Sequence, residues 1–97
     1  PQFIGMIFAD KLKKLFKGNE VINCKTFEDD VRVRNVLQEY DFKWASGDAI
    51  TMSFWDDYKD RTCINPFDCL YASKEYYTEN GKKIIDAETF IKTVNRN

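Results

Sequence analysis

The apolar positions of the chain change period several times, and each change marks an element. In MIFADKLKKLFKG, Ile7, Phe8, Leu12, Leu15 and Phe16 recur at helical spacing, lysines fill the last turn and Gly18 follows. Cations favour the carbonyl end of a helix and glycine accepts a left-handed cap, so the segment predicts a first helix that stops there. EVINC reads as a short strand centred on Val21 and Ile22. Thr26 then opens T-F-E-D, a hydroxyl able to accept a backbone N–H followed by acids suited to the positive end of a helix. That helix is expected to run to about Tyr40, with Val33, Val36, Leu37 and Tyr40 on one face and Arg32, Asn35 and Glu39 outward.

After Asp41 to Trp44 carries the chain off the helix, Ser46 to Asp48 read as a turn. AITMSFW then alternates Ile50, Met52 and Phe54 against Thr51, Ser53 and Trp55, the period of a two-faced strand. RTCI and CLYA read as a hairpin joined by NPFD, since proline presets φ and Asn or Asp bonds the local backbone. SKEYYTENG is a short helical turn ended by Asn80 and Gly81, KKIID a last strand, and Asp86 a cap for AETFIKTV, whose Phe90, Ile91 and Val94 close the sheet. The order is α-β-α-β-β-β-α-β-α, or the same with one strand fewer. The expected fold is α/β of the α+β kind: a mostly antiparallel sheet of four to five short strands with three to four helices packed on it, covering one face.

Composition narrows the function. A chain of 97 residues makes one domain, expected over 6–97, with Met6 a natural start and residues 1–5 an added remnant. Fifteen Lys and Arg against sixteen Asp and Glu give a net charge of -1, which supplies no general grip on a nucleic-acid duplex. No apolar run approaches the roughly 18 residues of a membrane span, and the opening lacks the order of a signal peptide, so a cytoplasmic protein is expected. Three cysteines, Cys24, Cys63 and Cys69, with no histidine argue against a disulfide framework and a structural zinc site and fit a reducing compartment. Cys63 and Cys69 either face each other across the hairpin or are small buried thiols. Without histidine the usual general base and the Ser-His and Cys-His dyads are missing, and no phosphate loop, dinucleotide fingerprint or EF-hand spacing is present. The expectation is a non-enzyme with no cofactor and no metal.

Candidate chemistry gathers around YDFKWASGDAI. Tyr40, Phe42 and Trp44 alternate just before Ser46, Gly47 and Asp48. One reading makes them a wedge between helix and sheet, with Gly47 supplying a positive φ for the turn. The other makes Lys43, Trp44, Asp48, Trp55, Tyr58 and Arg61 a ligand site, because they flank one presumed strand and combine rings on which a base can stack with a cation for phosphate. Asp56, Asp57 and Asp60 beside Lys59 and Arg61 read as a solvated charged turn, and alternatively as magnesium ligands of a hydrolase or nuclease.

The segments NCKTFEDDVRVRNVLQEYDFKWASGD, TCI and SKEYYTENGKKIID resemble a class of small uncharacterised proteins from phages of Firmicutes, over about residues 21–91. The likeness lies in a capped helix leading to a KW-x-SG turn and in a YY-x-x-NG-x-KII segment before the last helix. The resemblance implies a viral, anti-defence protein in the host cytoplasm, some such proteins being oligomeric sponges that hold a cyclic nucleotide. The leading expectation is therefore a non-catalytic binder that sequesters a small nucleotide signal. The alternative is an inhibitor that docks on a host enzyme or defence protein through exposed aromatics, since Trp, Tyr and Arg dominate interface hot spots. Aromatics crowd the segment from Trp55 to Tyr77, and burial of the excess in a homodimer or higher oligomer is expected.

Overall fold

Capping side chains set the frame of the fold. In the computed structural model, which describes residues 16, 18–40, 42 and 44–96, strand β1 (Glu20–Cys24) runs into Thr26, whose hydroxyl accepts the Asp29 N–H at 3.0 Å and starts helix α1 (Phe27–Glu39). Helical turn α2 (Trp55–Tyr58) and a 3-10 turn (Lys59–Arg61) precede the hairpin of β2 (Thr62–Asn65) and β3 (Leu70–Ser73). Ser73 caps helix α3 (Lys74–Glu79) through the Tyr76 N–H. Strand β4 (Lys83–Asp86) ends at Asp86, which caps helix α4 (Ala87–Asn95) through the Thr89 N–H at 2.7 Å. The helix expected over MIFADKLKKLFKG lies outside the described residues except for Phe16, which is buried in the core, and Gly18, whose φ is 78.

The four strands form one sheet in the order β3-β2-β1-β4, antiparallel at β1–β2 and β2–β3 and parallel at β1–β4. The α+β class, the strand count and the largely antiparallel pairing are as expected. Register places Ile85, Ile22, Ile64 and Tyr71 in a row across one face. Helices α1 and α4 cover that face, and Val33, Leu37, Phe90 and Val94 bury against Ile22 and Ile64. Successive residues of a strand point to opposite faces, so Val21, Cys63, Ala72 and Ile84 lie on the other side, under Tyr77 of α3. Helices thus occupy both faces rather than one. The short α3 lies on the second face, where its one buried side chain, Tyr77, packs with Val21 and Cys63.

The strand expected over AITMSFW does not form. Residues 49–54 are irregular and Trp55 opens α2. A strand needs a partner for its carbonyls, and here side chains take that place. Arg34 donates to the Ile50 and Thr51 carbonyls at 3.5 and 2.8 Å, and the Trp44 indole N–H to the Met52 carbonyl at 2.9 Å. Ile50 is buried while Met52 is exposed, so the alternation in the sequence does not sort the segment into two faces.

The NPFD turn does what its residues predict. Asn65 Oδ1 accepts the Phe67 and Asp68 N–H groups, and the Asn65 carbonyl accepts the Cys69 N–H at 2.9 Å. Cys69 closes the turn at φ 55, a left-handed conformation costing a side-chain-bearing residue about 1–2 kcal/mol. None of the three cysteines is in a disulfide. Burial pushes the Cys63 thiol up to about 11, and the Cys24 thiol is raised further by burial and by Asp30. Among the described residues no helix is long and apolar enough to cross a membrane.

Candidate functional site

One long-range contact and one local turn assemble the aromatic-floored cavity described below. The Ala45 N–H donates to the Cys69 carbonyl at 2.9 Å, tying the turn after α1 to the tip of the hairpin. Gly47, at φ 92, closes that turn by donating its N–H to the Trp44 carbonyl at 2.8 Å, the positive φ that its place in the sequence calls for. Between these anchors Trp44 lies against Tyr71 with ring centroids 4.2 Å apart, and Phe54 stands edge-on to both. Such tilted and edge-on pairs are the favoured aromatic geometries, about 0.5–1.5 kcal/mol each beyond burial.

The three rings floor a cavity of about 190 Å³ lined also by Ser46, Asp57, Tyr58, Cys69 and Leu70. Beneath it sits a fully buried carboxylate. Asp30 Oδ2 accepts Arg34 Nε and Ser53 Oγ, both at 2.8 Å, and Oδ1 accepts the Tyr71 hydroxyl at 2.5 Å. Burial first, and then the bond to Asp30, push the Tyr71 phenol far above its ordinary range, so it stays a donor. Every buried side-chain polar atom among the described residues has a partner, so the network holds Tyr71, and with it the floor, in one position.

The candidate residues read from the sequence divide among several places. Trp44 and Tyr58 line the cavity, and Asp48 is next to it, accepting the Ser46 hydroxyl at 2.8 Å. Trp44 is only 4% exposed, and Tyr40 is also buried, so the wedge describes both; Phe42 packs half-buried against the same core. Trp55 is elsewhere: its indole N–H donates to the Cys24 carbonyl at 3.0 Å, its ring meets the edge of Phe27, and the Lys59 ammonium lies 5.7 Å from the ring centroid. Arg61 is exposed and bonds Glu75, in a separate depression with Lys74, Thr78 and Glu79. That contact raises the guanidinium pKa, while the Glu75 backbone N–H and Arg61 together hold the Glu75 carboxyl below the usual range. Lys43 lies outside the described residues.

Phe54, Asp57 and Tyr71 belong to the cavity and are not among the six residues expected to bind a ligand. The sequence pattern puts Phe54 on one face of a strand, and Asp57 in a charged turn or among magnesium ligands. Tyr71 carried one usable signal, since a tyrosine at an inward strand position needs a buried partner for its hydroxyl. The three aspartates do not converge: Asp56 meets Lys59 at 3.5 Å, Asp57 lines the cavity, and Asp60 offers its carbonyl to Asn23. Among the described residues no group of three or more acids, cysteines or histidines is placed to hold a metal ion.

The cavity opens beside an edge strand, whose Leu70 carbonyl accepts the Tyr77 hydroxyl at 3.2 Å. β3 is the edge of the sheet, Leu70 is 47% exposed, and a second hollow of about 410 Å³ on its other side is lined by Asn65, Ala72, Tyr76, Tyr77 and Lys82 among others. An edge strand turns half of its backbone donors and acceptors away from its neighbour. Compared with protein-family models, with curated proteins and with solved structures, the chain finds no match.

Proposed function

We propose that the protein is a non-catalytic docking module that binds a partner protein along the β3 edge, with partner side chains seated in the hollows on either side of the strand. The observation that carries this is that an aromatic-floored cavity opens at Leu70 and Tyr71 of the edge strand, with Leu70 exposed. A peptide added to a sheet edge gains main-chain hydrogen bonds, and pockets for its alternate side chains give specificity. In the setting that the phage resemblance implies, the partner is a host enzyme or defence protein in the host cytoplasm, and docking inhibits it.

Sequestration of a nucleotide is the second reading, and one feature supports it: a cavity with π faces suits a base. The phosphate side of that reading is weaker, because the only charged residue among the described lining residues is Asp57, and Arg61 is engaged by Glu75. A displayed library of random peptides selected on the protein separates the two. Peptides of extended character that bind the wild type and lose binding to Leu70→Asp support docking. A library without such binders, beside calorimetric heat from a signalling nucleotide, replaces docking with sequestration. Light scattering on the same samples measures the expected self-association, in which the β3 edge of a second copy is one competitor for the site.

A further inference from the structure

Aromatic side chains bring π faces and hydrogen-bonding handles to a cavity, and in this one three of the polar handles are used elsewhere. The Trp44 N–H goes to the Met52 carbonyl, the Tyr71 hydroxyl to Asp30, and the Ser46 hydroxyl to Asp48. What remains is chiefly ring carbon from Trp44, Phe54, Tyr58 and Tyr71, together with the Tyr58 hydroxyl and the acidic side chain of Asp57. Asp57 is exposed, and no described cation pairs with its side chain. The negative faces of the rings attract a positive group, and a carboxylate next to them adds to that attraction while repelling phosphate. A neutral apolar occupant would fill the rings but partly desolvate Asp57 without giving it a partner, which is unfavourable. Electrostatics and apolar contact agree for one class of group, an ammonium carried on methylenes or methyls.

Building on the docking role, we infer that this cavity receives a lysine-type ammonium of the partner, unmodified or methylated, with Asp57 as its counter-ion. The rings cover the methylene stem and the carboxylate faces the charge. A cavity of about 190 Å³ has room for the ammonium and its last methylenes. On this assignment the backbone edge of β3 supplies general affinity, and the Asp57 cavity decides which partner is accepted.

Cys69 lines the cavity, whereas Cys24 and Cys63 are buried, so a thiol reagent reads occupancy directly. The experiment measures, by mass spectrometry of the intact protein, the rate at which neutral methyl methanethiosulfonate modifies Cys69. It is repeated with choline and with its uncharged isostere 3,3-dimethyl-1-butanol. Choline is expected to protect Cys69 at concentrations roughly fivefold or more below the isostere, the ratio that corresponds to a cation–π advantage of about 1 kcal/mol. Asp57→Asn, which keeps the size of the side chain and the rings, should narrow the gap between the two protection curves to what the rings alone give, and Tyr58→Ala should weaken both. Equal protection by the two compounds in the wild type overturns the ammonium assignment and leaves an apolar docking pocket standing. Protection by neither overturns it as well, and the peptide selection then decides the docking role independently.

Discussion

Arg34 and Arg61 each meet a carboxylate, one inside the molecule and one on its surface. Arg34 is 9% exposed and its partner Asp30 is fully buried; the Arg61 and Glu75 side chains are 54% and 50% exposed. The buried pair has further work: Asp30 also holds Ser53 and Tyr71, and Arg34 also holds the Ile50 and Thr51 carbonyls. The surface pair joins the 3-10 turn to α3. Both contain the same guanidinium and carboxylate, yet only the first has leverage over the cavity. In low dielectric an unmatched charge is costly, so every neighbour is drawn into the pairing, whereas in water either partner can be solvated instead.

The sharpest way to break this comparison is to remove the carboxylate that the buried arginine needs. Asp30→Ala should lower unfolding stability by about 3–5 kcal/mol, the range for stranding a buried charge. Urea denaturation measures it, and a loss as small as that of a surface substitution would mean that water reaches Arg34. Tyr71→Phe is a gentler cut through the same network. It removes one donor to Asp30 while keeping the ring over the cavity floor, and should cost about 1.5–3 kcal/mol, the range for a hydrogen bond to a charged group. Choline protection of Cys69 should persist in Tyr71→Phe, since the ring stays and the hydroxyl it loses is engaged by Asp30.

What could be read from the sequence follows the same division between local and long-range causes. Thr26 and Asp86 were legible as caps because the donor each satisfies lies three residues on. The NPFD hairpin was legible because Asn65 bonds its own turn. AITMSFW was not, because its carbonyls are satisfied by Arg34 and Trp44, up to 17 residues away, and nothing within seven residues distinguishes that from a strand. Asp30 and Arg34 have the i, i+4 spacing of an exposed helical pair, and it takes the segment 50–53 and Tyr71, 16 to 41 residues on, to enclose them. Part of the cavity was therefore visible in Trp44 and Tyr58, while Phe54, Asp57 and Tyr71 needed the tertiary fold.

Asp86 sharpens the comparison from between the two extremes, as an exposed carboxylate with a fixed local task. It accepts the Thr89 N–H and starts α4, whose Phe90 and Val94 are core residues. Asp86→Ala should cost about 1 kcal/mol, the usual value of a cap. Its bonds to the Thr89 backbone and side chain hold its carboxyl below the ordinary range. A group with a depressed folded pKa stabilises fully above its unfolded value of about 3.9, and that contribution fades as pH falls through the lower folded value. The stability difference between wild type and Asp86→Ala should thus be constant near neutrality and shrink only in acid. A difference that changes between pH 6 and 8 would point to another group.

The smallest effect is expected at Arg61, the residue that position in the sequence singles out as the ligand-binding cation. Its guanidinium and the Glu75 carboxylate are both in water, so the attraction between them is screened and offset by the entropy of holding two long side chains together. Arg61→Ala should leave the melting temperature indistinguishable from wild type, and added salt should not separate the two. If the cavity selects an ammonium through Asp57, choline protection of Cys69 should also be unchanged in Arg61→Ala, because the arginine does not line that cavity. A nucleotide site that extends to Arg61 makes the opposite forecast, with nucleotide affinity falling at least tenfold on loss of a charge-assisted contact worth about 1.5–3 kcal/mol at the ligand. One variant thus divides the two readings: a loss confined to nucleotide binding would move the functional centre from the Asp57 cavity to the α3 depression, and no loss of either kind leaves Arg61 as a surface pair.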